Sequence, residues 1–165
     1  ILIPKPCFRS RLFLHVKGEF MYTIGQVSKM CGLPISTLRY YDKEGFFPNM
    51  ERKGNIRNFS ENEIEAIRVI ECLKRSGLKI QDIKQFFKWV TEGSSTYENR
   101  KTLFELQKTA IEEEMLVLEK TLAMLKFKCW YYDKVIKDGN EKQIKEMIPE
   151  NLPEEIQELY KKAHS

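Results

Sequence analysis

Apolar residues recur at helical spacing in four short runs between residues 22 and 92, and then in one long run between residues 104 and 136. Thr23 and Gln26 form a capping box, because the Thr hydroxyl can accept a backbone N–H while the Gln side chain reaches back to the cap. A helix is predicted from there, with Ile24, Val27 and Met30 inward and Gly32 as the left-handed residue that ends it. Pro34 suits the opening of a second helix through Ser36, Thr37, Leu38, Arg39, Tyr40 and Tyr41, which stops at Gly45. Lys53, Gly54 and Asn55 then offer hairpin-turn chemistry between short extended arms ending in Ile56 and Phe59. Ser60 and Glu63 make a second capping box, for a helix with Ile64, Ile67, Ile70 and Leu73 inward and Gly77 at its close. A fourth helix spans Lys79 to Thr91, and Gly93, Ser94 and Ser95 form a hinge after it.

Beyond the hinge the spacing changes to a seven-residue repeat. Phe104, Ile111, Leu118, Leu125 and Tyr132 form one row; Lys108, Met115, Leu122, Cys129 and Ile136 form the other, so that nine of ten positions are apolar. A stripe this narrow, sustained over more than four heptads, predicts a coiled coil and therefore a partner helix. A hairpin with the chain's own tail is the alternative. That tail, residues 137–165, contains a DGN turn, a short amphipathic stretch with Ile144, Met147 and Ile148, and LPEEIQELYKKA as a last helix folding back near the coiled-coil tip.

Two short helices around a tight turn, followed by a basic hairpin, make a winged helix-turn-helix pattern, in which the second helix enters the DNA major groove. Charge agrees in direction: residues 21–92 hold 12 basic and 9 acidic side chains, net +3, whereas residues 93–165 hold 12 and 14, net −2. With 165 residues and few glycines and prolines, the chain has room for one domain with an appendage, mostly helical. Cys7, Cys31, Cys72 and Cys129 lie 24, 41 and 57 positions apart, so no CxxC pair offers a zinc or redox site, and a reduced, cytoplasmic setting is expected. No run of about eighteen apolar residues suggests a membrane span. Lys17, Gly18 and Glu19 before Met21 can be encoded by a purine run like a ribosome-binding site, so residues 1–20 are expected to be translated leader, with a native extension as the alternative.

The stretch from TIGQVSKMCGLPISTLRYYDKEG through RKGNIRNF to LKRSGLKIQDIKQF resembles the DNA-binding domain of the MerR family of bacterial transcription regulators. One departure is Ile56 and Phe59 where the family wing often reads Tyr-Arg-Tyr, which keeps the arginine and removes two phenols. The resemblance implies a mainly α protein: a winged helix-turn-helix head over residues 21–92, a hinge and dimerisation helix forming an antiparallel coiled coil over 93–136, and a helical tail over 137–165. It also implies double-stranded promoter DNA as partner, contacted by Thr37, Arg39, Tyr40 and Arg57, with Tyr41 and Lys53 behind them. Arginine can fork onto guanine or phosphate and a phenol can donate to phosphate, but Tyr40 and Tyr41 point to different helix faces, so one of the two is expected in the core. For Arg39 the structural reading is an ion pair with Asp42 or Glu44. The homodimer, joined through Ile111, Met115, Leu118, Leu122, Leu125 and Cys129, is expected to distort a promoter whose polymerase elements are too far apart, letting bacterial RNA polymerase engage.

Cys129 alone and His164 in the tail do not make a metal site, and no cofactor is expected. Trp130, Tyr131 and Tyr132 read as core and not as a ligand cage. Cys72 in IECLKRSGL shares a face with Arg68 and Arg75, which favour thiolate, and its segment resembles the small electrophile-sensing branch of the family. It is the candidate sensor thiol, with packing as its structural reading, while Cys31 and Cys129 read as structural. A non-covalent inducer is the alternative signal, and a helical adaptor the alternative class. No nucleophile, base and oxyanion set and no phosphate loop points to an enzyme.

Overall fold

The computed structural model describes residues 20–54 and 56–164. The expected leader up to Glu19, with Cys7, and the turn residue Asn55 lie outside the described residues. The described chain falls into two compact units, one ending at Gln107 and the other beginning at Lys108.

The first unit is the head. Strand β1 (Tyr22–Thr23) leads into helices α1 (Ile24–Cys31) and α2 (Ile35–Lys43), strands β2 (Glu51–Lys53) and β3 (Ile56–Phe59), and helices α3 (Glu61–Arg75) and α4 (Ile80–Glu92). A single 3-10 turn at Ser94–Thr96 then opens α5 (Tyr97–Asp138), which runs on into the second unit. Both capping boxes form: Gln26 accepts from the Thr23 backbone N–H at 2.8 Å, and Glu63 accepts from the Ser60 N–H at 2.8 Å. Gly32 ends α1 at φ 66, in the left-handed region where a side chain is disfavoured.

The sheet has the order β1-β3-β2, all antiparallel, with Tyr22 opposite Phe59 and Arg52 opposite Arg57. The sequence showed the β2–β3 hairpin but not β1, whose two residues are too short to leave an alternating pattern. β1 stitches the base of the hairpin to the start of α1. The head core is complete in itself, with Val27, Leu38, Tyr41, Phe59, Ile64, Ile67, Ile70 and Ile83 fully buried. Edge-to-face rings join its parts, Tyr41 to Phe46 at 5.9 Å, Phe46 to Phe87 at 5.4 Å and Phe86 to Phe104 at 5.4 Å. Two expectations change here. Met30 is exposed, because α1 is only two turns long and buries Val27 alone; and Phe104, expected to begin the coiled-coil seam, packs on Phe86 within the head. At the expected hinge, the Thr96 hydroxyl lies 2.6 Å from the Trp89 carbonyl, and Arg100 donates to the Gly93 carbonyl at 2.7 Å.

The second unit is the rest of α5 with α6 (Lys142–Met147) and α7 (Glu154–His164). The tail packs on α5 through Ala123 and Phe127, both buried, with Phe127 edge-on to Tyr160 at 5.3 Å. Ile144 and Leu152 are buried too. Lys162 donates to Glu119 at 2.7 Å, holding that carboxyl below the ordinary carboxylate range.

Candidate nucleic-acid interface

Helix α2 is nine residues long, and its sequence divides its faces. Leu38 and Tyr41 point into the core, three residues apart, leaving Ser36, Arg39 and Tyr40 exposed and Thr37 half-buried. Arg39 makes no ion pair among the described residues: Asp42 is taken by Arg52 and Arg57, and Glu44 by Lys84 at 3.8 Å. Its five donors are therefore not engaged by a carboxylate among the described residues. Tyr40 is 42% exposed, whereas Tyr41 is fully buried.

Tyr41 thus leaves the exposed set. Its ring sits in the core, its hydroxyl donates to Glu71, and Lys74 donates to that hydroxyl at 2.7 Å. Burial first, and the bond to Glu71 second, push its phenol above the ordinary tyrosine range, so it stays neutral. One of the two tyrosines lies in the core, as expected, and it is Tyr41, while Tyr40 stays outside. Ser36, Thr37, Tyr40, Tyr41 and Lys74, together with Ile80 at the start of α4, border a surface pocket of about 330 Å³. Nothing in the sequence marks Lys74, which lies thirty-odd residues from α2 and joins it only through the fold.

The wing contributes next. Lys53 is exposed at the end of β2, before Gly54 at φ 54. Arg57 is half-buried, and its Nε donates to Asp42 at 2.7 Å. Arg52, directly across the hairpin, donates from one terminal nitrogen to both Asp42 oxygens at 2.9 Å. Arg52 and Asp42 were not among the expected site residues; an acidic residue in the last turn of a helix gives no sign that it meets a hairpin.

Cys72 lies half-buried on α3, and the structure carries it in a disulfide, which the cysteine spacing gave no reason to expect. Cys31 and Cys129 are free thiols among the described residues. Burial pushes the Cys31 thiol up, against a smaller opposing effect of Arg68. No group of three or more metal-binding side chains occurs among the described residues.

An exposed helix face bearing Arg and Tyr beside a basic two-stranded wing is the geometry of a winged helix-turn-helix. Residues 22–88 match the family model described as MerR HTH family regulatory protein. An uncharacterised HTH-type transcriptional regulator of Haemophilus influenzae is 34% identical over 135 residues, which cover 81% of this chain and 95% of that protein. The chain belongs to the MerR family. It is a DNA-binding transcription regulator, not an enzyme. The HTH-type transcriptional regulator AdhR of Bacillus subtilis is 40% identical over 81 residues, covering 48% of this chain and 58% of AdhR. Among solved structures, HiNmlR, described as a MerR family regulator lacking the sensor domain and bound to promoter DNA, superposes with a TM-score of 0.61 at 32% identity, over 81% of this chain and 98% of that one.

Along α5 in the second unit, Ile111, Met115, Leu118, Leu122, Leu125, Tyr132 and Ile136 are between 36% and 79% exposed, and Cys129 is exposed with them. The heptad stripe therefore stands bare in the single chain, while the tail occupies Ala123 and Phe127.

Proposed function

We propose that the protein works as a homodimer on a pseudo-palindromic promoter operator, and that the dimer distorts the DNA to control transcription by bacterial RNA polymerase. The observation that carries the dimer is the uncovered stripe of α5. Burying the exposed half of each such side chain stabilises by roughly 1 kcal/mol, so two stripes together offset an association cost on the order of 4–15 kcal/mol. An antiparallel pairing follows the family resemblance and places the two heads on separate half-sites. HiNmlR, seen on promoter DNA, supports the operator reading. No described helix is long and apolar enough to cross a membrane, and a promoter-bound regulator works in the cytoplasm.

Arg39 and Tyr40 on α2, with Thr37, Lys53 and Arg57, form the DNA-contacting set in this reading. Regulation runs through Cys72: a dithiol reductant opens its disulfide by two-electron exchange, the freed thiolate adds to the carbonyl carbon of a small aldehyde to give a hemithioacetal once the oxygen is protonated, and the changed packing on α3 alters how the head holds DNA. The test is transcription in vitro from the protein's own upstream promoter, after reduction, with wild type and Cys72→Ser, with and without a small aldehyde. Aldehyde-dependent transcription lost only in Cys72→Ser is the expected result. Equal induction of both proteins overturns the thiol switch, and a monomeric wild type in sedimentation equilibrium overturns the dimer.

A further inference from the structure

The wing carries an electrostatic problem in its own register. Arg52 and Arg57 are direct cross-strand partners in the antiparallel pair, and like charges directly opposite one another destabilise a hairpin. Every residue of β2 is exposed, so no core contact holds that strand, and a hairpin of two short strands has little stability alone. Phe59 anchors only the base of β3. Arg57 lies two residues before Phe59 and so shares its inward face, which turns both guanidiniums toward the last turn of α2.

Asp42 waits there, its side chain only 6% exposed, within 2.9 Å of both arginines. A carboxylate in the last turn of a helix opposes the helix dipole, so its place on α2 is unfavourable without cationic partners. Each guanidinium meets Asp42 through a single nitrogen and makes no other hydrogen bond among the described residues. Since arginine has five N–H donors, most remain available to a phosphate.

We propose that Asp42 is a positioning residue for DNA binding: it clamps Arg52 and Arg57 together against α2, so that the wing presents both guanidiniums to the phosphate backbone at a fixed distance from the recognition helix. The inference rests on the head's DNA-binding role, not on the dimer or the thiol switch. It makes a prediction opposite in sign to simple charge counting. Replacing Asp42 by Asn raises the formal net charge from +4 to +5 and takes a negative charge away from the DNA-facing side, which by charge alone tightens binding to a polyanion. Loss of the clamp weakens binding instead.

The test is titration of a labelled random-sequence duplex with the full chain at several salt concentrations, for wild type, Asp42→Asn, Arg52→Gln/Arg57→Gln, and the three changes combined. Asp42→Asn is expected to bind about tenfold more weakly, with a log–log salt slope shallower by about 0.9 for each phosphate contact released. The combined variant is expected to match the double-arginine variant, because without its arginines Asp42 has nothing to position. Tighter binding by Asp42→Asn overturns the proposal. So does weaker binding with the wild-type slope, the sign of a lower folded fraction, and so does a further change on adding Asp42→Asn to the double-arginine variant.

Discussion

The head and the distal part of α5 use the same kinds of apolar side chain to opposite ends. In the head, Ile64, Ile67 and Ile70 on α3 reach no solvent, and the aromatic rings close against each other edge to face. On α5 beyond Lys108, Leu118, Leu122 and Leu125 recur as regularly, and each is at least half exposed. Helical periodicity alone does not say whether a stripe is finished within its own chain. The distinction lies in width: α3 and α4 carry broad faces that several neighbours cover, whereas the heptad stripe is a narrow seam suited to one partner helix.

The largest expected effect comes from the seam. Leu118→Glu with Leu122→Glu places two charges per chain where the dimer reading buries leucines, and is expected to leave monomer at micromolar concentration by sedimentation equilibrium, with the head's unfolding unchanged. Ile67→Ala, in contrast, should cost about 2–5 kcal/mol of head stability in denaturant titration and leave the association constant alone. If the seam double variant lowers head stability as much as Ile67→Ala does, the two regions are not independent.

The surface of the head gives a smaller effect of another kind. Arg39→Ala should weaken operator binding by about 1–3 kcal/mol without moving the thermal midpoint, because the exposed guanidinium has no ion pair among the described residues to lose. Tyr41→Phe should do the reverse, costing about 1–2 kcal/mol of stability through its bonds to Glu71 and Lys74, with affinity per folded molecule retained.

Acidification probes the exposed contact between the tail and α5. Lys162 depresses the folded pKa of Glu119, so this contribution is present above the unfolded carboxyl value and is lost as pH falls through the folded one. Amide exchange along α7 should quicken over that fall in wild type, and Lys162→Met should remove the pH dependence.

Much of the head was legible because its signals are local. Thr23 with Gln26 and Ser60 with Glu63 mark helix starts within four residues, and Gly32 and Gly77 mark stops at positive φ. Long-range relations left no such mark. Strand β1 is two residues long, and Asp42 meets Arg52 and Arg57 only after the hairpin folds onto α2. Tyr40 and Tyr41 show the boundary: helical geometry required that they diverge, but only packing decided that Tyr41 goes inward. Along α5 the repeat was plain, yet its first member, Phe104, packs edge-on to Phe86 of the head.

The tail's seat on α5 has an evolutionary and practical consequence. Because α7 leans on Phe127 while Leu118 and Leu125 stay at least half exposed, one stretch of helix carries the tail on one face and, in the dimer reading, offers another face to a partner. A change of tail sequence, a graft of a different C-terminal module or a dye attached to the outer side of α7 alters one face and spares the other. Such a layout lets the appendage diversify quickly while the seam stays under its own constraint.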